Sequence, residues 1–217
     1  MGDKMINKLT MRRLERNDIP ALIEIVKRSW RTDEFLKIRS DHDLATVFFW
    51  RCVVHQNFAK VALWDGKVVG FILADTKRYR TARTSDVFRS LTARWKLGMR
   101  NDGKAKLKLL KQLTKIDDEL LEKLNWQDYL GEIVLLAVDP DYQNIGIGKQ
   151  LVQSVMQYWR EKSVERFYTF TDTESNYQFC LKSGFSEYAR EKVTITKTNG
   201  KFLTAKFFLY TGEVSTL

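Results

Sequence analysis

The run Ile133-Val134-Leu135-Leu136-Ala137-Val138, closed by Asp139-Pro140, restricts this chain more than any other feature. Continuous apolar residues with no polar alternation describe a strand buried on both faces, which requires layers above and below a sheet. Gln143-Asn144-Ile145-Gly146-Ile147-Gly148 follows, and Lys149 to Lys162 then places Leu151, Val152, Val155, Met156 and Trp159 at helical spacing. A buried strand, a glycine-bearing turn and an amphipathic helix together predict a mixed α/β architecture. Glycines at alternate positions let the backbone approach a ligand and aim several N–H groups one way. Those amides merge with the orphan N–H groups and positive dipole end of the helix, which predicts a pyrophosphate site. Two other phosphate motifs do not fit. Gly148-Lys149 is followed by Gln150 where a Walker loop needs Ser or Thr, and Leu151 stands where a dinucleotide fingerprint needs its third glycine. A tight strand-to-helix connection with no ligand is the alternative reading of the same turn.

On either side the elements alternate. Lys8 to Leu14 reads as a first strand. Asn17-Asp18 offers a cap and Pro20 falls in the first turn of a helix whose apolar face is Leu22, Ile23, Val26 and Trp30. A second helix covers Asp41 to His55. Val61 to Trp64 and Val68 to Ala74 flank Asp65-Gly66, a hairpin signal. Beyond the glycine turn come a strand at Phe167 to Thr171, a helix at Tyr177 to Lys182 stopped by Gly184, and a closing pair, Thr194 to Thr196 and Phe202 to Tyr210, around Asn199-Gly200.

Composition sets limits on class. With 217 residues, 44% of them apolar, the chain reads as a soluble globular protein of one domain. Two cysteines, Cys52 and Cys180, are too few for a disulfide framework and read as reduced thiols in a cytoplasmic protein. No targeting segment is read near Met1, and no apolar stretch is long enough to span a bilayer, so no membrane partner is expected. No Cys/His cluster has metal spacing. The net charge of +10 lies in one segment: from Lys77 to Lys115 thirteen Lys and Arg face only Asp86 and Asp102. Residues 78–130 are helical in period, with Leu107, Leu110, Leu113, Ile116, Leu120 and Leu124 as an apolar stripe after the breaker Asn101-Asp102-Gly103.

The stretch Val138-Asp139-Pro140-Asp141-Tyr142-Gln143-Asn144-Ile145-Gly146-Ile147-Gly148, with Gly184-Phe185 after a later strand and short helix, resembles the GCN5-related N-acetyltransferases (GNAT). Their signature is Gln/Arg-x-x-Gly-x-Gly/Ala after a strand ending in Val-x-Pro. The resemblance covers about residues 8–77 and 131–210. It implies a central mixed, mostly antiparallel sheet flanked by helices, with residues 78–130 as a helical insertion between the third and fourth strands. It also implies acetyl-CoA as cofactor. Backbone N–H groups of Gln143, Asn144, Ile145, Gly146, Ile147, Gly148 and Lys149 would hold the pyrophosphate, and the edge at Leu136, Ala137 and Val138 would pair with the pantetheine amides.

Acetyl transfer to a primary amine needs a base for the amine, a donor for the thioester oxyanion and a proton for the leaving thiolate. Glu132, one residue before the apolar run, is the base that the resemblance implies; a solvated strand-end carboxylate is its other reading. Many members carry Tyr five residues before the Phe of Gly-Phe, and here that place is Cys180, which reads as a proton donor or as a small core residue. Tyr177 offers a phenol one helical turn earlier, and Asn176 a partner for the pantetheine arm. The oxyanion donor is expected near Leu136. The basic segment reads as a lid whose cations select an acidic acceptor or meet CoA phosphates, as a homodimer element using its leucine stripe, or as a nucleic-acid or ribosome contact through Arg83, Arg89, Arg94 and Lys106. The rival functions are a nucleic-acid-binding protein on this scaffold and a CoA-binding sensor without turnover.

Overall fold

The apolar runs become seven strands of one sheet: β1 (Leu9–Arg13), β2 (Phe58–Trp64), β3 (Lys67–Thr76), β4 (Gly131–Val138), β5 (Arg166–Asp172), β6 (Ser186–Thr196) and β7 (Phe202–Glu213). Their spatial order is β1-β2-β3-β4-β5-β7-β6. Neighbours are antiparallel except β4 and β5, which are parallel. The helices are α1 (Ile19–Ser29), α2 (His42–Val54), α3 (Thr84–Gly98), α4 (Gly103–Glu122), α5 (Ile147–Glu161) and α6 (Tyr177–Lys182). The computed structural model describes residues 8–29, 42–77, 82–173, 175, 177–196 and 202–216. Trp30 and the Asn199-Gly200 turn lie outside them.

Local chemistry explains the joints. Asp65 and Gly66 both have positive φ, 49° and 80°, the two-residue turn whose twist matches the strands β2 and β3 that it joins. Asp18 does not cap α1 as expected. It lies in a short 3-10 turn, Arg16–Asp18, accepts both Arg12 guanidinium bonds at 2.7 and 2.8 Å and the Glu15 N–H at 2.8 Å, and so ties the end of β1 to the start of α1.

Three apolar clusters hold the layers. On one face α5 sets Leu151, Val155, Met156 and Trp159 against Val69, Ile72, Ile133 and Phe167. On the other, α1 and α2 set Leu22, Val26, Ala45 and Phe49 against Val61, Phe71 and Leu73. Beside them α4 lays Leu109, Leu113, Ile116 and Leu120 on Leu44, Val47, Tyr168, Phe207 and Leu209. That last contact corrects one expectation. The leucine stripe is consumed inside the chain, with Leu110, Leu113, Ile116, Leu120 and Leu124 all buried, so it is not an apolar face free for a homodimer.

Candidate functional site

The site starts at a fork. β4 pairs with β3 along its length but with β5 only at Gly131, Glu132 and Ile133. Thr169 Oγ1 donates to the Ile133 carbonyl at 2.9 Å and closes this last rung. The register against β3 passes from Ala74 opposite Ile133 to Leu73 opposite Leu135, so Val134 is an extra residue, a bulge that bends β4 where it leaves β5. Between the diverging strands lies a cleft of about 690 Å³, lined by the β4 edge from Glu132 to Val138 and by Thr169 to Asp172 of β5. The sequence reading of β4 as buried on both faces is therefore corrected for part of it. Gly131, Ile133 and Ala137 are buried, while Val134, Leu135 and Leu136, which line the cleft, are half-buried.

The turn after β4 closes one end. Pro140–Tyr142 makes a 3-10 turn, and the Gln143 side-chain amide donates to the Val138 carbonyl at 3.0 Å. Asn144 (φ 62°) and Gly146 (φ 91°) are both left-handed and flank Ile145. Gly146 caps α5, where space is open but a side chain would carry the strain of that φ. The first bond of the helix runs from Gln150 N–H to the Gly146 carbonyl at 3.1 Å, so the N–H groups of Ile147, Gly148 and Lys149 precede the helical ladder. A Cβ on Gly148 would stand 3.0 Å from the Phe179 ring, a close approach that only glycine allows without displacement. Alternating left-handed residues feeding a helix start make a concave set of donors, the arrangement that fits a pyrophosphate.

A network beneath the turn was not anticipated. Buried Asp139 accepts Arg28 Nη1 at 2.6 Å and the Asp141 N–H at 3.1 Å, while Arg28 Nη2 donates to Asp141 at 2.8 Å. The hydrogen bond to Asp141, with the nearby Asp139 charge, raises the pKa of the Arg28 guanidinium. Arg28 is distant in sequence and sits in the polar last turn of α1, so no local pattern marks it.

The proton-handling candidates divide. Glu132 stands at the fork, half-buried, and its Oε2 accepts the Tyr168 hydroxyl at 2.9 Å. Lys77 Nζ lies 4.6 Å from the centre of the Tyr168 ring. Cys180 lines the cleft and is buried, which pushes its thiol up to about 12 by desolvation. Cys52, also on the cleft, is likewise pushed up to about 12 by burial, with Glu132 adding to the effect and Arg51 opposing it. Tyr177 is not among the cleft residues; its ring stacks on Phe208 at 5.4 Å. Asn176 lies outside the described residues. Leu136, Ala137, Val138, Gln143, Asn144, Gly146, Ile147, Gly148 and Lys149 all line the cleft, and Ile145, exposed on the turn, does not.

The far end is walled by α2 and α4. Arg51 Nη1 donates to Thr114 Oγ1 at 2.6 Å and Nη2 lies 3.9 Å from Asp117. The cleft residues of α4 are Leu110, Leu113, Asp117, Asp118 and Leu121. Of the basic segment, Lys77 lines the cleft, whereas α4 turns carboxylates and leucines toward it. The nucleic-acid contact set also loses members to the fold: Arg89 stacks over Trp50 at 5.2 Å, and Lys106 is buried against Asp102 at 2.6 Å.

Against known proteins, the model of the acetyltransferase (GNAT) family matches residues 21–185. A comparison with curated proteins finds no match. Ribosomal-protein-S18-alanine N-acetyltransferase from Escherichia coli superposes with a TM-score of 0.54 at 15% identity, over 95% of this chain and 94% of that one. An N-acetyltransferase from Staphylococcus aureus Mu50 gives 0.55 at 13% identity, over 95% and 98%. Salmonella typhimurium yncA, solved with its cofactor acetyl-CoA, gives 0.52 at 13% identity, over 96% and 95%. At these identities the structural likeness is one of fold.

Proposed function

The chain belongs to the acetyltransferase (GNAT) family, and from that premise we propose that it transfers an acetyl group from acetyl-CoA to a primary amine by direct attack in a ternary complex. That it is an acyltransferase using acetyl-CoA follows from the family, and the Salmonella typhimurium neighbour of the same fold was solved with that molecule. The observation that carries the finer reading is the fork. The strands β4 and β5 part just beyond Glu132, so a cleft-facing strand edge, a donor-lined turn and a carboxylate share one cavity.

The residues fit acetyl-CoA. The N–H groups from Asn144 to Lys149 suit a pyrophosphate, and the β4 edge at Leu136, Ala137 and Val138 suits pantetheine amides, which add to a sheet as a strand does. When bound, acetyl-CoA supplies an activated acetyl thioester. A strand rises about 3.3 Å per residue, so Glu132 lies deeper along β4 than Leu136 and the acceptor nitrogen enters between them. Glu132 takes the ammonium proton through water in the cleft, held in place by the Tyr168 hydroxyl. A β4 N–H near Leu136 meets the developing oxyanion. As the C–N bond forms and the C–S bond breaks, the nitrogen gives its second proton to the departing sulfur. Cys180, whose thiol is pushed up to about 12, is a weaker acid than an ordinary thiol, so we assign it a packing role in place of proton donation.

Calorimetric titration with acetyl-CoA, followed by an amine screen that reads free thiol release, tests this. Binding with acetyl-dependent thiol release for an amine supports transfer. Binding without release from any amine class points to a sensor, and no binding overturns the reading.

A further inference from the structure

Phe88, Leu91, Trp95 and Met99 run along α3 and its C-terminal cap with 67%, 60%, 66% and 71% of their surface exposed. Helical positions advance by about 100° each, so these four fall within about 80° of one another and form a single stripe. The buried residue of α3, Leu97, lies on the opposite side, where the helix packs against α2. The same winding sets Arg89 and Lys96 along one margin of the stripe and Arg94 along the other. Asp86 is the helix's lone acidic residue, and Arg83, Arg94 and Lys96 are exposed. None of the stripe residues lines the cleft.

Scattered apolar side chains on a surface are ordinary, but a contiguous stripe bordered by charge marks an interaction site. A second copy is a poor occupant. Pairing α3 with itself in either two-fold orientation brings cationic margins together, with only Asp86 to offset them. Nucleic acid would engage the cations and leave the stripe in water. An anionic bilayer surface meets both features: protruding apolar groups enter the acyl boundary without needing a shaped groove, Trp suits the interface, and Arg and Lys reach the headgroups. We propose that α3 docks the protein peripherally on membranes carrying anionic lipid, through Phe88, Leu91, Trp95 and Met99 with Arg94 and Lys96 on the headgroup phosphates. This departs from the sequence expectation of no membrane partner. It concerns surface contact alone, since among the described residues no helix is long and apolar enough to cross a bilayer.

Co-sedimentation of the full chain with vesicles of phosphatidylcholine, alone or mixed with phosphatidylserine, tests the proposal. Wild type pellets with the mixed vesicles and stays in solution with the neutral ones. A Leu91→Ser, Trp95→Ser variant and an Arg94→Glu, Lys96→Glu variant each partition roughly tenfold less. Both keep the wild-type thermal midpoint, which separates lost docking from lost folding. Absence of binding to mixed vesicles overturns the proposal, as does full binding by the serine variant, which would make the attraction purely electrostatic. A concentration-dependent dimer in sedimentation velocity, abolished by the serine variant, overturns it in favour of an interface between copies.

Discussion

The hydroxyl of Tyr168 on β5 donates to Glu132 Oε2 on β4 at 2.9 Å, across the last paired rungs before the two strands separate. If Glu132 is the base, Glu132→Gln lowers kcat/KM by about 10²- to 10⁴-fold while acetyl-CoA affinity is unchanged. Tyr168→Phe has a smaller effect with a distinct signature. It removes a donor to the charged carboxylate, so the acid limb of the kcat/KM profile moves to higher pH. A pH series on the purified variants reads both.

Gly146→Ala imposes a side chain at φ 91° with no steric obstacle around it, so its cost is conformational, about 1–2 kcal/mol. Gly148→Ala brings a Cβ to 3.0 Å from Phe179 and must move that ring or the turn. Both weaken acetyl-CoA binding, measured by calorimetry, more than they change the KM for an amine.

Arg28→Ala leaves buried Asp139 without its cation and is expected to destabilise the chain by about 1–3 kcal/mol in chemical denaturation. Adding Asp139→Asn recovers part of that loss, because the uncompensated charge is then gone. The same single variant loosens the turn and weakens acetyl-CoA binding.

Asp18 gives a stability signature in acid. The Arg12 hydrogen bonds hold its carboxyl below the usual range, against the opposing effect of burial. A carboxyl whose folded pKa is depressed adds stability above its unfolded pKa, about 3.9 for Asp, and loses it as pH falls through the folded value. Asp18→Asn therefore lowers the denaturation midpoint at neutral pH, and the gap from wild type narrows as pH drops below about 4.

The α4 wall predicts a split in steady-state constants. Asp117→Asn and Asp118→Lys change the charge at the far end of the cleft, away from the glycine turn. For an amine that is a substrate, KM changes by about threefold to tenfold while the KM for acetyl-CoA holds. Equal movement of both constants would separate α4 from the acceptor.

Much of this architecture is legible in local pattern. The helix Tyr177–Lys182 and the Asp65-Gly66 hairpin stand where periodicity and turn chemistry set them, and the glycine turn declares itself by spacing. What escapes local pattern is long-range. The bulge at Val134 and the parting of β4 from β5 arise from register between strands, and no residue type announces them. Arg28 reaches Asp139 across 111 positions and Tyr168 reaches Glu132 across 36. The basic segment misleads for a related reason. Charge counts sum over a helix, but a helix has faces, and α4 turns Asp117 and Leu113 to the cleft while exposed Lys108 and Lys111 face solvent.

The proposed binding mode lays acetyl-CoA along the β4 edge with its pyrophosphate on the turn. Backbone amide ¹H–¹⁵N spectra during titration with acetyl-CoA test it most directly. The amides of Asn144 to Lys149 and of Leu136 to Val138 are expected to shift most, with those of α3 unmoved. Saturable binding that leaves the turn amides in place while others shift would contradict it.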